Sequence, residues 1–326
     1  MLAPLNARLS PAGLRAHLPI LLFHRVHARP DPLFPHEPDA RRFEAKMKAL
    51  ARDWTVLPLP QAVALLREGG LPARALCITF DDGYADNFSI AAPILKRWRL
   101  PATFFISTGF MSGEVMWNDR VIEAVRATRR TRLDLADRGL GAHEMETPQA
   151  RRACVAALLA AIKYLPQAAR DEAVAAIVRQ AAVVPAHELM MRPAQVVALL
   201  RAGHSIGAHT VTHPILSRLA PEAAQAEIAR ARDALEALLQ ARVGLFAYPN
   251  GKPGEDYLPE HVAMVRGLGF DAALTTAAGV AGAGCDFMQL PRYTPWRPGA
   301  WGFRLALTWA LLQSKRARTH RGCRSR

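Results

Sequence analysis

The stretch from Ala75 to Gly83, ALCITFDDG, decides how the rest of the chain is read. Its first six residues are an apolar, β-favouring run that reads as a buried strand, and Asp81-Asp82-Gly83 stops it. Side chains alternate between faces along a strand, so two adjacent acids can serve one site only where the chain is turning, and Gly83 allows that turn. Taken alone, Asp-Asp-Gly reads equally as an Asx-turn that closes a strand.

Outward from this junction the chain alternates. Upstream lie a strand-like run at 19–26 (PILLFHRV), a proline-rich loop at 30–38, a helix at 40–52, a short strand at 54–57 and a helix at 59–68 ending at Gly69-Gly70. Downstream come a helix at 87–98 and a strand at 101–107 (PATFFIS). Strands alternating with helices of about ten to fifteen residues argue for βα units, an α/β fold with a mainly parallel sheet or barrel. Between 117 and 191 the pattern changes to an Ala- and Arg-rich stretch with helices at 144–164 and 168–180, which reads as a helical insertion over about 118–190. Alternation resumes with a helix from Pro193 to Ala202 stopped by Gly203, a strand at 204–208, a helix at 221–240 and a strand at 243–248. In the third of these, Ile228, Ala231, Leu235 and Leu238 form an apolar face at helical spacing. The organisation expected is an N-terminal extension (1–18), one barrel (19–299) carrying the insertion, and a C-terminal apolar helix with a basic tail (300–326).

Composition narrows the class. At 51% hydrophobic and 21% charged residues, disordered, collagen-like and porin-like chains are excluded. The formal charge is +14, and residues 315–326 hold six basic side chains and no acid. That tail lacks hydrophobic periodicity and is expected to be solvated, with an anionic membrane as its other partner. No aromatic-rich basic motif points to specific nucleic-acid binding. Cys77, Cys154, Cys285 and Cys323 lack CxxC spacing and are expected as reduced thiols. The start MLAPLNARLSPAGLRAH, followed by LPILLF, has neither the length nor the cleavage site of a secretory signal, so a cytoplasmic place is expected, peripheral to the inner membrane face through the tail. Residues 300–313 (AWGFRLALTWALLQ), interrupted by Arg304, fall below the roughly 18 apolar residues of a membrane span. They read as a packed terminal helix or a surface-lying amphipathic one.

Two further clusters follow strands. In His209-Thr-Val-Thr-His213-Pro214, imidazoles four residues apart can meet one metal ion, while Pro214 keeps His213 out of regular helix. With one carboxylate they make a three-ligand site with open positions, the arrangement that activates water, and a second carboxylate remains as base. At 245–253 (LFAYPNGKP) a Pro-Asn-Gly turn can aim backbone N–H groups at a developing oxyanion, or be an ordinary turn. Both acids and both histidines sit at the C-terminal ends of strands, where parallel α/β folds assemble their sites.

TFDDG at 79–83, HTVTHP at 209–214 and an altered third motif around 248–251 resemble the polysaccharide deacetylase family, carbohydrate esterase family 4 with its NodB-homology domain, over residues 19–295. The resemblance implies an irregular (β/α) barrel and metal-dependent removal of N-acetyl groups from a polysaccharide, oligosaccharide or glycoconjugate. It implies Asp81 as general base and Asp82, His209 and His213 as metal ligands, with Zn²⁺ favoured and Co²⁺ or Ni²⁺ compatible. Phe23-His24-Arg25-Val26 resembles the histidine-bearing first strand of the subgroup acting on poly-N-acetylglucosamine-type exopolysaccharides, which makes His24 the candidate general acid.

Departures from the pattern shape the remaining assignments. Relatives carry an Arg two residues before the proline of the third motif, hydrogen-bonded to the base; Ala247 stands there, and Arg292 is expected to supply the charge from a later strand. The late Leu-x-x-His motif has only Leu258 to His261 as a match, too close to the third motif, so His261 ranks below His24. Asn250 is expected at the oxyanion. Tyr248 is expected either in the cleft or merely ending its strand, and Trp117 either stacking on a sugar or anchoring the insertion. Competing readings are a hydrolase of a non-sugar amide or cyclic imide, and a non-catalytic glycan-binding member of the fold.

Overall fold

Seven strands in chain order, β1 (Ile20–Phe23), β2 (Ala75–Phe80), β3 (Thr103–Ile106), β4 (Ser205–Ala208), β5 (Leu245–Ala247), β6 (Ala272–Ala278) and β7 (Leu290–Arg292), lie side by side in that same order. Every neighbouring pair is parallel, for example Phe23 beside Phe80, Phe80 beside Phe104 and Ile106 beside Ala208. The edges β1 and β7 meet through Tyr293, whose N–H donates to Ile20 O (2.8 Å) and whose carbonyl accepts from Leu22 N–H (3.1 Å), so the barrel is nearly closed. The computed structural model describes residues 2–184, 188–295, 297 and 299–322, with backbone alone from 315 onward.

Alternation along each strand sorts the side chains. Ile20, Cys77, Phe105, Leu245, Ala247, Leu274 and Leu290 share one buried cluster with Leu59, Val63 and Leu66 of the helix Leu59–Glu68. Leu21, Phe23, Ile78, Phe80, Phe104, Ile206 and Phe246 fall in the other cluster, under the helices Ala40–Asp53, Ala92–Trp98 and Pro221–Leu239. The first cluster fills the barrel. Phe105 dominates it, and burying such a ring stabilises by about 1.5–3 kcal/mol. Its bulk explains Gly207 on the neighbouring strand, where a Cβ would stand 2.4 Å from the Phe105 ring. Sequence patterning locates β1 to β5 well, but assigns no strand over 272–278. AALTTAA is rich in small residues with weak strand preference, and the barrel interior leaves little room for larger ones.

Two compact units make up the chain: 1–29 with 36–112 and 191–326, and 30–35 with 113–190. The second is not purely helical as expected. It holds the helices Trp117–Ala127, Pro148–Ile162 and Gln167–Ala181 and an antiparallel hairpin, Arg132–Leu135 with Gly141–Glu144. The hairpin turns through Gly139 and Gly141, both at positive φ. Glu144 therefore ends a strand, and the following helix starts at Pro148 behind a Thr147 cap.

The termini also depart from expectation. Residues 3–9 form a helix whose Asn6 Oδ1 accepts from Thr308 Oγ1 at 2.8 Å, and His17–Leu18 pair with Ala281–Gly282. The C-terminal helix spans Ala300–Gly322, so most of the basic tail is helical rather than irregular; residues 323–326, with Cys323, lie outside the described residues. Phe303, Leu307 and Leu311 are fully buried, and Arg304 turns inward to Asp53. Cys77 and Cys154 are buried free thiols.

Candidate active site

Asp81 keeps the inward phase of Cys77 and Thr79 and so points into the barrel mouth beyond the end of β2. Asp82 follows with φ 76° and Gly83 with φ 89°, both in the left-handed region. For a non-glycine residue that conformation is uncommon and recurs where function demands it. Here it folds the chain back, so that consecutive acids face one place. Met191 N–H holds the turn by donating to Gly83 O (2.8 Å).

His209 and His213 arrive from the loop after β4. His209 Nδ1 lies 2.7 Å from Ala247 O, a contact in which the ring must donate. In the neutral tautomer this leaves the lone pair on Nε2. Nε2 sits 3.3 Å from Asp82 Oδ1, and His213 Nε2 sits 3.4 Å from the same oxygen. Asp82 Oδ1 is nonetheless buried without a hydrogen-bond partner. Ligand atoms of all three residues lie within 4.8 Å of one another. Two imidazole nitrogens and a carboxylate oxygen converging on one point fit a divalent cation. Two nitrogens and one oxygen leave open positions.

The electrostatics point the same way. Burial would lower the pKa of His209, but Asp81 and Asp82 outweigh it and raise it; the acids call for positive charge, which a cation can supply in place of a proton. Burial pushes His213 down to about 4, leaving a neutral ring free to ligate. Burial pushes the Asp82 carboxyl up, yet His213 and then His209 hold it far below the usual carboxylate range.

Arg292 supplies what Ala247 lacks. Only 1% exposed, it closes a bidentate pair on Asp81, Nη1 to Oδ1 at 2.7 Å and Nη2 to Oδ2 at 2.6 Å. Its Nε donates to Thr275 O (2.8 Å), and its guanidinium lies 5.9 Å from the Phe105 ring centre. Burial would raise the Asp81 pKa, but Arg292 first and His209 next bring it below the ordinary value. Each carboxylate oxygen has a second lone pair, and on the Oδ2 side His209 Nε2 is 4.0 Å away.

His24 stands just past β1, close enough for its charge to act on Asp81, Asp82 and His213. Two neighbours fix its segment: Asn87 Nδ2 donates to His24 O (2.8 Å), while Asp86 pairs with Arg25 (2.8 Å) and accepts from Val26 N–H (3.1 Å). The Pro249–Gly251 turn is stitched to β6 by Thr276, whose hydroxyl donates to Asn250 O at 2.6 Å. Asn250 and Gly251 both have positive φ.

Tyr248 and His261 lie away from this cluster. Tyr248 is a correction: with Ala247 facing inward, Tyr248 faces out into the helix-covered core, fully buried, stacked on Tyr257 and donating to Met288 O (3.0 Å). His261 is buried in the helix Pro259–Gly267, its Nδ1 accepting from Leu258 N–H (2.9 Å). Trp117 packs on the second unit's own core, with the Arg170 guanidinium 5.1 Å from its ring.

One residue escapes sequence reading altogether. Glu227, on the helix Pro221–Leu239, accepts from the N–H groups of Val211 and Thr212 (2.9 Å each) and from the Thr212 hydroxyl (3.0 Å). It clamps the loop between the two histidines, where Thr210 and His213 have positive φ. Nothing separates it in sequence from any other acid on an amphipathic helix. Gly109 is also required there, since its Cβ would meet Val211 O at 2.8 Å.

Barrel mouth, acid pair and histidine loop together place a candidate cation site beside a separate, arginine-held carboxylate. The profile of the family described as polysaccharide deacetylase matches residues 68–273, and the chain belongs to that family. A putative polysaccharide deacetylase of Bacillus subtilis, YxkH, is 34% identical over 93 residues, 28% of this chain and 32% of the relative. The poly-beta-1,6-N-acetyl-D-glucosamine N-deacetylase of Staphylococcus aureus is 36% identical over 78 residues, 24% of this chain and 27% of the relative. The chain thus spans about a third or less of the length of these curated relatives. Among solved structures, the Streptococcus pyogenes deacetylase PplD in complex with acetate aligns with TM-score 0.58 at 18% identity, over 86% of this chain and 92% of that one. IcaB from Ammonifex degensii aligns with TM-score 0.58 at 19% identity, over 92% and 98%. These likenesses show a shared fold.

Proposed function

We propose that this protein is a cation-dependent hydrolase that removes N-acetyl groups from a glycan or glycoconjugate. The observation that carries the reading is the unpartnered Asp82 Oδ1 between two imidazole nitrogens, beside an aspartate held by a buried arginine. Asp82, His209 and His213 would hold the cation, with Zn²⁺ the first choice for a mixed nitrogen and oxygen set and Co²⁺ or Ni²⁺ compatible. When bound, it supplies Lewis acidity, polarising the acetamide carbonyl and acidifying a water.

The chain's own residues do the rest. Asp81, kept ionised by Arg292, takes the proton from the attacking water. The Asn250 backbone N–H would be the donor to the oxyanion that forms on the carbonyl oxygen, since its neighbours in the turn are engaged, Gly251 N–H with Pro249 O and Lys252 N–H with Asp256 Oδ2. His24 delivers a proton to the leaving nitrogen, because an amide nitrogen departs only as an amine. Acetate and a free amino sugar result. The Staphylococcus aureus relative is described as acting on poly-beta-1,6-N-acetyl-D-glucosamine, which makes β-1,6-linked N-acetylglucosamine oligomers the first substrate to try.

The test combines metal analysis of purified protein with acetate release from acetylated glycan oligomers. One equivalent of divalent metal is expected, with release abolished by chelation and restored by Zn²⁺, Co²⁺ or Ni²⁺. His209→Ala should lose both metal and turnover; equal metal in this variant and wild type contradicts the ligand assignment. Hydrolysis of cyclic imides without acetate release would move the protein to the small-amide class, and glycan binding without any metal-dependent turnover to the non-catalytic one.

A further inference from the structure

Outside the barrel mouth, the largest unexplained feature is the outer face of the C-terminal helix. Trp301, Leu305 and Trp309, spaced by four, are 60%, 44% and 54% exposed. The opposite face, Phe303, Leu307 and Leu311, is already buried in the core. The helix is therefore apolar on two sides, and packing uses only one of them. The single charge among residues 300–314, Arg304, is turned inward onto Asp53, so the outer face carries none. A groove of ≈ 770 Å³ runs along this face, with Leu2 and Leu5 of the first helix opposite Leu305, Trp309 and Leu312. Its lining includes one charged residue, Arg297, and no acid. Directly beyond the stripe the sequence turns basic, with Lys315, Arg316, Arg318 and Arg321 inside the same helix and two more arginines after it.

We infer that this face docks on an anionic lipid surface, with the tryptophans and leucines in the headgroup boundary and the basic turns against lipid phosphates. Tryptophan favours that boundary because its ring is apolar and its N–H can stay hydrated. An apolar stripe followed by a cluster of Lys and Arg is how a helix lies in an interface rather than across it. Among the described residues, no helix is long and apolar enough to cross a membrane. Charge also selects this occupant over a second copy of the chain. In a two-fold contact through the stripe the partner copy would offer the same acid-free lining, with no negative charge for the basic turns, whereas lipid phosphates supply it.

The test is co-sedimentation of the full chain with vesicles of phosphatidylcholine alone, or of phosphatidylcholine with phosphatidylglycerol at 7:3, at low and high salt. Retention is expected on the anionic vesicles, weaker in high salt and at least about tenfold weaker on the neutral ones. Leu305→Ser/Trp309→Ser should lose retention while folding as wild type does, because both side chains are about half exposed and the substitutions leave the Trp301 ring over the Arg304 guanidinium at 5.1 Å. Lys315→Gln/Arg316→Gln/Arg318→Gln/Arg321→Gln keeps the stripe and should weaken retention by about a hundredfold. The inference fails if wild type ignores anionic vesicles, if either variant binds them as wild type does, or if retention is indifferent to lipid charge. It fails in favour of self-association if light scattering finds a dimer that the serine variant converts to monomer.

Discussion

Among the described residues, Asp53 and Asp81 are each paired with an arginine that is itself buried, and the two pairs differ in what surrounds them. In one, Arg304 and Arg52 occupy the two carboxylate oxygens of Asp53 beneath the C-terminal helix, while Arg74 donates to its backbone carbonyl (3.2 Å). In the other, Arg292 grips both oxygens of Asp81 at the barrel mouth, where Asp82, His209 and His24 also converge. The first pair is closed, its charges spent on joining two helices. The second leaves a lone pair facing a second acid and two imidazoles. Burial and pairing therefore do not separate the two aspartates; unused acceptor capacity beside Asp81 does.

The largest expected effect follows from that lone pair. Asp81→Asn keeps shape and the contact with one guanidinium nitrogen but cannot accept the proton of water. Turnover should fall by about 10²- to 10⁴-fold, or about 2.7–5.5 kcal/mol, with metal content unchanged. Metal analysis beside acetate release checks both halves; a variant that loses its metal would make Asp81 a ligand instead.

The closed pair should answer in a different currency. Arg304→Met leaves Asp53 buried with only Arg52 at 3.3 Å, and breaking such a pair costs about 3 kcal/mol of stability. A lowered denaturant midpoint with unchanged turnover in the folded protein is expected. Lost turnover at unchanged stability would erase the contrast drawn above.

Arg292→Met probes the open pair by pH. Burial alone raises the Asp81 pKa, and Arg292 is the foremost group opposing it. The sign follows: with Arg292 present the base stays ionised below the usual carboxylate range, and without it protons compete at higher pH. The acid limb of kcat should move up, with kcat at neutral pH about ten- to a hundredfold lower. Because His209 and a bound cation still face Asp81, the loss of stability should be smaller than for Arg304→Met. An unmoved acid limb would deny Arg292 its role in positioning the base.

How much of this was legible in the sequence depends on range. The ends of β2 and β4 were readable because acids, glycine and histidines interrupt apolar runs within a few residues. Arg292 was legible only as a gap, since Ala247 stands where relatives carry the charge, and a barrel that closes brings β7 back beside β1 and β2 from more than two hundred residues away. The 132–144 hairpin was missed because its alternation spans only four residues a side, two of them charged at Arg132 and Asp134. Tyr248 was misplaced because its letter suits a cleft; its phase, one residue past an inward Ala247, turns it outward. The buried face of the C-terminal helix hides Arg304 in the same way, since an interruption in a linear pattern is a partner for Asp53 in three dimensions.

Glu227 is the limiting case and gives the smallest effect. It touches neither ligand nor base, yet its carboxylate takes two of the three N–H groups between His209 and His213 and so fixes the angle at which the second imidazole meets the first. Glu227→Gln keeps the length but offers one acceptor oxygen in place of two, and that oxygen is uncharged. Outer groups of this kind change metal affinity by about tenfold, some 1.4 kcal/mol. Titration with a competing chelator should show that loss, with kcat at saturating metal near wild type, since Asp81, Arg292 and His24 keep their places. A fall in kcat at full metal occupancy would mean that the loop orients substrate as well as the cation, and the division between holding the metal and moving the proton would have to be redrawn.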